Sequence, residues 1–597
     1  MTRRLALLAM LAGCHAAGAP APAGRVGASL ALTAAGLVVV DPDQGTVSVL
    51  DPDTLALRRT VDVGGEPRAM VPLASGLVVV ANYRGGELVL VDAASGTVRA
   101  RRAVCAGPYG LAEAPDGSFV AVACEWEGAV LAADPTTLTT RALLTGLRRP
   151  RAVAVVGASI YAAEFTGGEV TRTTEDGGAA SVVSLVPASS PERPALTGMT
   201  AALATALLPD GDTLWAAHLL ENDSGAALEP AADDYGTVTD GNPKLNPAVT
   251  ALDVSGGGLA QSSGPVTYAV FDGGARVFNG PSALASDGAG HLLVAHLGTA
   301  NVAVLDAAAT TTSARVVGSF AVGAGPSGIA VDVARRLAYV DNAFDGSVSR
   351  LDLSTLAPGR PAQLTRVRAQ APRFSAAALE GRRIFNDAAN RHLTPAGVVA
   401  CATCHPDGGD DGHVWFIHTA KIPLKRRRTP HLANAKAGGP LHWDGAFATL
   451  EDLTRRTITD LMAGDGLLVD VAAVRAFVDE LVQAPVGPRR DAAAVERGRA
   501  IFASPGAACA TCHAPPSFAD GKLHAVLSPE SLTTDDAFAA ARTPGLAGVF
   551  LRAPYFHDGR SPGLEDLLVR PDAAAHGSVA ALTPADRADL VAYLESL

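Results

Sequence analysis

The sequence predicts a multidomain chain: an all-β propeller of seven blades, followed by two all-α domains of a common design. Three observations carry this. A motif of apolar strand, Gly turn and second strand recurs about every 40 residues through the first 365 positions. After Asp352 that pattern gives way to helical spacing. Within the last 225 or so residues a second, longer repeat aligns one half with the other. A length of 597 residues holds about four domains at roughly 150 residues each. With 48% hydrophobic and 18% charged residues the chain has a full core and is not disordered. A net charge of −12 argues against a nucleic-acid partner, since phosphate binding needs a basic face. An acidic protein can instead attract a basic soluble partner.

The first residues read as a processing signal. Thr2-Arg3-Arg4 is positive, and the apolar run Leu5 to Ala12 is too short to span a bilayer. It ends in Leu11-Ala12-Gly13-Cys14, which resembles the bacterial lipobox, whose Cys becomes an acylated N-terminus. The other reading is a plain secretory signal with a coincidental Cys. Residues 1–14 are then the signal and 15–29 a flexible tether. The expected location is the periplasm, or the outer membrane of a Gram-negative bacterium, with the membrane reached through the N-terminal lipid only.

The propeller is assigned to residues 30–365. Gly36-Leu-Val-Val-Val, Gly76-Leu-Val-Val-Val, Gly117-Ser-Phe-Val-Ala-Val and Gly157-Ala-Ser-Ile-Tyr open the first four units. Turn glycines Gly45, Gly86, Gly128 and Gly168 follow at spacings of 41, 42 and 40. Further units open near Asp212, His291 and Arg336, making seven. Short strands divided by Gly, Asp and Pro turns are all-β chemistry, and radial repetition leaves only short edges. These units resemble the YVTN-type bacterial propellers, a likeness of fold that implies little about function. A polar stretch between Glu221 and Pro247 interrupts the fifth unit, either as a binding loop or as a solvated insertion. Cys105 and Cys124 are an even pair, read as a disulfide or as two small buried side chains.

The chemistry lies further on. Cys401-Ala-Thr-Cys404-His405 and Cys509-Ala-Thr-Cys512-His513 are two Cys-x-x-Cys-His motifs. Two thiols one helical turn apart can each add to a haem vinyl group, and the adjacent His then reaches the iron. A zinc site would need further ligands, and a redox dithiol would not need the His. Two covalent haem c groups are expected, with His405 and His513 as proximal ligands.

The surroundings repeat as well. Gly381-Arg-Arg-Ile-Phe385 matches Gly498-Arg-Ala-Ile-Phe502, and Arg428-Thr-Pro430 matches Arg542-Thr-Pro544. Leu441-His-Trp-Asp444-Gly445 matches Tyr555-Phe-His-Asp558-Gly559, with 15 residues from Thr to Asp in both copies. Leu-Glu-Asp-Leu follows six residues after each Asp. Two haem c domains, 370–484 and 491–597, are therefore expected. Because the two repeats are independent, separate cores are expected for the propeller and for the haem part.

This constellation resembles the bacterial di-haem cytochrome c peroxidases and their MauG-like relatives. The likeness implies tandem haems, one passing electrons and the other reducing hydrogen peroxide, with a tryptophan between them at Trp443. Calcium enters by that resemblance alone. The distal ligands follow from the repeat: Met462 lies 18 residues after Asp444, and His576 lies 18 after Asp558. His413, His418, His431 and His442 compete for the first iron, and His524 and His557 for the second. The likeness usually gives Met to the second haem, so this sequence reverses the pattern. Arg428 and Arg542 are expected to pair with haem propionates, as a guanidinium fork suits carboxylate. His557 and His524 are the candidates for a distal acid–base group.

The expected function is a periplasmic di-haem oxidoreductase reducing peroxide, with electrons from a small soluble donor of the cytochrome c or cupredoxin type. The rivals are a pure electron-transfer protein and a MauG-like oxidase of a partner protein docked on the propeller.

Overall fold

A computed structural model describes residues 23–178, 180–187, 199–222, 245–262, 266–267, 278–309, 315–366, 373–526 and 540–597, apart from 396, 398, 418, 420, 423, 424, 438, 571–575, 577, 578 and 580. The signal segment, His418 and most of the Glu221–Pro247 stretch lie outside the described residues. Among the described residues no helix is long and apolar enough to cross a membrane.

Among the described residues seven mainly antiparallel sheets form the ring; most strands of each are consecutive, with Arg25–Val26 added to the third sheet and Arg360–Pro361 laid parallel on the sixth. The apolar runs that open the repeats are the second strands, such as Gly36–Asp41, Val78–Asn82 and Val120–Cys124. These strands are buried almost throughout because neighbouring blades cover both faces. The outermost strands, such as Leu57–Asp62 and Thr97–Ala103, carry the exposed arginines. Gly45, Gly86, Gly128 and Gly168 occupy the turns between second and third strands with φ of 69°, 64°, 65° and 62°, a conformation that favours glycine.

Five of the inner strands begin with proline: Pro67, Pro108, Pro150, Pro281 and Pro326. Proline has no N–H for the ladder, so it sits at the strand's first residue, and each pairing shifts register just after it. The last blade closes on the first through Ser29 and Ser327, whose hydroxyls are 3.1 Å apart. Leu30, Leu37 and Leu50 share one core there with Tyr339 and Val348.

The expected tether is shorter than the sequence reading made it. Residues 24–28 run along the inner strands of three blades. Gly24 N–H donates to Val155 O (2.7 Å), Gly27 N–H to Leu111 O (2.7 Å) and Ala28 N–H to Met70 O (3.0 Å). A Cβ at Gly24 would lie 1.9 Å from Glu113 O, so only glycine passes there. The backbone groups exposed at a propeller's centre give an extended segment its partners, and the low-complexity sequence concealed this.

The haem part is mainly helical, with two small hairpins that the helical expectation omitted: Val414–Ile417 with Lys425–Arg428, and Leu523–His524 with Ala541–Arg542. The duplication is visible throughout. Helix Ala376–Asn386 crosses Val471–Glu480 at Gly381, and helix Ala492–Ala503 crosses Pro584–Glu595 at Gly498. A Cβ at either glycine would lie 1.9 Å from a facing carbonyl, of Ala473 or Asp589.

The expected separation of cores does not hold for the first haem domain. Phe165, Leu203, Leu219 and Leu245 of the propeller pack in one cluster with Leu393, Trp415, Met462 and Phe477. Arg382 forms a two-pronged pair with Asp43 of the first blade, both bonds 2.8 Å and both residues buried. The second haem domain keeps its own cluster around Phe502, Leu590 and Tyr593.

Candidate functional site

Each Cys-x-x-Cys-His motif begins as a short helical turn, Cys401–Cys404 and Cys509–Thr511. In the first, Thr403 Oγ1 accepts the Ala400 N–H at 3.0 Å. Asp407, at φ 56°, then turns the chain back so that Gly409 O lies 3.1 Å from His405 Nδ1. In the second, Phe518 O lies 2.8 Å from His513 Nδ1. Both proximal candidates thus have Nδ1 held by a carbonyl, the arrangement that fixes the tautomer and leaves Nε2 for a metal. Burial lowers the pKa of both imidazoles, which favours the neutral, ligating form.

The four motif cysteines are unpaired, whereas Cys105 and Cys124 are joined in a disulfide with Cα atoms 6.0 Å apart. Burial pushes the Cys401 thiol up to about 11, raises Cys404 well above the usual thiol range, and raises Cys509 and Cys512 as well. Cys512, Asp520 and His524 approach closely enough to hold an ion, but Cys512 belongs to the motif and His524 Nε2 is 2.7 Å from Asp520 Oδ2.

His576 faces His513 with ring centroids 6.1 Å apart and planes at 80°. Two metal–imidazole bonds of roughly 2 Å each, plus the distance from each nitrogen to its ring centre, fill that gap. Burial pushes the His576 pKa down to about 4, and its Nδ1 is buried without a partner among the described residues. These residues fit a haem iron between two imidazoles. Met462 is 3% exposed and lies in the same cluster as Cys401 and Cys404. The competing histidines have other duties. His442 Nδ1 is 3.1 Å from Asp444, and His431 Nδ1 accepts the Ala433 N–H at 3.1 Å. His413 stands edge-on to Trp415 and 4.0 Å from Glu221.

Trp443 lies between the two haem domains. Its indole N–H donates to Arg428 O at 2.9 Å, and its ring is edge-on to His557 at 6.4 Å. His557 is 1% exposed, and burial, reinforced by Arg427, Arg560 and Arg426, pushes its pKa down to about 4. Arg428 does not wait open for a propionate: it donates to Asp410 Oδ1 at 2.9 Å and to its neighbour Thr429 O at 2.8 Å. Arg542 donates to Asn434 O at 2.9 Å, across the domain boundary. Arg552, also buried, donates to the carbonyls of Gly545 and Ala547 and makes no ion pair among the described residues. Buried guanidinium without its own carboxylate suits the acidic edge of a haem.

The propeller contributes charged contacts to the haem-attachment segment that no local motif announces. Asp407, two residues after His405, accepts Arg68 of the second blade at 2.9 Å and Arg151 of the fourth at 2.7 Å. Glu125, fully buried, holds Arg149, Arg151 and the Tyr83 hydroxyl, and Arg149 reaches Asp410 O at 2.7 Å. The one available signal was an arginine on an apolar inner strand (Arg68, Arg151), a position where charge needs a partner.

This duplicated pair of Cys-x-x-Cys-His domains has the residues of a di-haem c-type protein. Residues 375–478 match the family model described as di-haem cytochrome c peroxidase. The methylamine utilization protein MauG of Methylorubrum extorquens is 28% identical over 277 residues, 36% of this chain and 76% of that protein. The same-named protein of Methylophilus methylotrophus is 27% identical over 274 residues, 36% of this chain and 81% of that protein. Among solved structures, Kuenenia stuttgartiensis hydrazine synthase aligns with a TM-score of 0.44 and 18% identity, over 58% of this chain and 99% of that one. The chain joins a seven-bladed propeller to a C-terminal region similar to di-haem cytochrome c peroxidase and MauG proteins.

Proposed function

We propose that the protein is an exported, lipid-anchored di-haem c enzyme that reduces hydrogen peroxide with electrons from a small soluble donor. Cys401, Cys404, His405 and Met462 would hold the first haem, and Cys509, Cys512, His513 and His576 the second. When bound, the haems supply one-electron transfer and peroxide cleavage. The observation that carries the reading is the pair of facing imidazoles, His513 and His576, at 6.1 Å in the second domain. His576 lies at a bend outside any helix; in this reading it leaves the site to admit peroxide. His557, neutral and buried at the domain junction, is the group proposed to move a proton. Trp443 joins the two halves through its backbone carbonyl, which accepts the Arg542 N–H at 3.0 Å. The test is the spin state of the two ferric haems before and after one-electron reduction. A high-spin population appearing on reduction supports peroxidase, and two unchanging low-spin haems would leave only electron carriage.

A second reading is favoured by the MauG relatives: oxidation of a partner protein docked on the propeller. Turnover of peroxide without added donor, with a modified partner recovered, would select it.

A further inference from the structure

A cavity of about 700 Å³ lies where the propeller's inner strands meet the first haem domain. One wall is propeller: Ser29, Thr205, Ser282 and Ser327, with Tyr109 and Phe165. The other includes Ala400, Ala402, Thr403, Pro406 and Asp407, the segment that carries Cys401, Cys404 and His405. A cavity of this size at the junction of two modules is where small molecules bind.

The charged groups decide what kind. Of the five arginines that line it, Arg68 and Arg151 are tied to Asp407, Arg382 to Asp43, and Arg84 lies 3.5 Å from Glu66. The fifth, Arg373, is exposed. An anion drawn to any of the four paired arginines would have to open its pair, and Asp341, the buried lining carboxylate outside those pairs, accepts the Ser327 hydroxyl at 2.9 Å. The walls offer instead the rings of Tyr109 and Phe165 and hydroxyl oxygens that accept, since the Thr205 hydroxyl donates to Ala217 O at 3.2 Å and that of Ser282 to Pro326 O at 2.7 Å. We infer that the cavity binds a neutral molecule carrying an aromatic ring and hydroxyl groups, and that its occupancy is felt by the first haem-attachment segment through Asp407. The binding part stands on the cavity alone; the coupling part rests on the proposed haem at Cys401–His405.

The test uses the full-length holoprotein with phenyl glucoside as probe and phenyl glucuronide, the same shape with a carboxylate, as comparator. Calorimetry is expected to show one glucoside site, at least ten-fold tighter than the glucuronide, with the probe found in this cavity in soaked crystals. The Soret band is expected to shift on binding. Thr205→Phe, which fills the cavity away from the haem motifs, is expected to abolish binding at unchanged haem content. Should that variant not fold, wild-type crystal soaks with the two probes decide the question. No glucoside binding, equal binding of the glucuronide, or density elsewhere overturns the site. Binding without a Soret shift in protein of full haem content overturns the coupling. Glucoside binding to protein without haem at Cys401–His405 overturns the proposed function but leaves the site standing.

Discussion

The backbone N–H of Arg428 donates to the carbonyl of His557 at 2.6 Å. The equivalent residues repeat the bond in reverse, Arg542 N–H to Trp443 O at 3.0 Å, so the two haem domains exchange one hydrogen bond each across a pseudo-twofold axis. Gly445 against Leu523 and Gly559 against Val414 follow the same exchange. Trp443 and His557 are thus equivalent positions carrying different chemistry at the junction.

Trp443→Phe keeps the ring but removes the indole donor to Arg428 O. The expected cost in stability is about 1 kcal/mol. Electron transfer between the haems is expected to slow, as read by stopped-flow reduction of one haem and equilibration with the other. An unchanged rate would remove Trp443 from the path.

Met462→Ala is expected to abolish a weak ferric band near roughly 695 nm and to lower one haem potential. His576→Ala should open the second iron and give a high-spin signal, with activity that needs no prior reduction. Replacing Cys401 and Cys404 together by Ala should halve covalent haem in a pyridine haemochrome assay. A wild type without the Met band would defeat the ligand assignment.

Asp407→Ala leaves Arg68 and Arg151 without their shared carboxylate at the junction of propeller and haem domain. Arg151 is buried but the Asp407 side chain is 34% exposed, so solvent offsets part of the loss and about 1–2 kcal/mol is expected. The melting temperature of the whole chain should fall by several degrees, while Asp407→Glu recovers part of the loss. A neutral result would mean that water already screens the pair.

His218 and His296 are fully buried in the propeller, and burial pushes both pKa values down to about 3. An unfolded His titrates near 6.5, so the unfolded chain binds the extra protons between those values. Their contribution is fully present above pH 6.5 and is lost as pH falls below it, by roughly 1 kcal/mol for each residue at pH 5.5. Thermal melts from pH 7.5 to 5 should show this slope. His218→Gln, able to keep the bond to Thr250, should flatten it.

Gly381→Ala and Gly498→Ala place a methyl within 1.9 Å of a carbonyl on the crossing helix. Backbone cannot yield that far, so each helix pair must separate, and a loss of about 3 kcal/mol or more is expected. Circular dichroism melts check it, with Gly563→Ala, which meets nothing within 4 Å, as the control.

The sequence by itself determined the blade count, the two haem motifs and the duplication, because each is a local pattern. A blade needs its alternation and its turn glycine, and thioether attachment needs two thiols one turn apart with an adjacent His. The same matched intervals led from Asp558 to His576, which the fold sets opposite His513. The disulfide between Cys105 and Cys124, left open in the sequence, depended on the distance between a loop and the end of a strand and so waited for the fold.

Only the tertiary structure decided how the parts are joined. Nothing near Asp43, Arg68 or Arg151 in the chain announces Arg382 or Asp407, more than 250 residues away. The partner of a buried charge is fixed by which surfaces meet, and Coulomb attraction leaves no periodic trace in a sequence. For the same reason residues 24–28 read as a tether: their partners are the unsatisfied backbone groups of three blades, which exist only once the ring has closed.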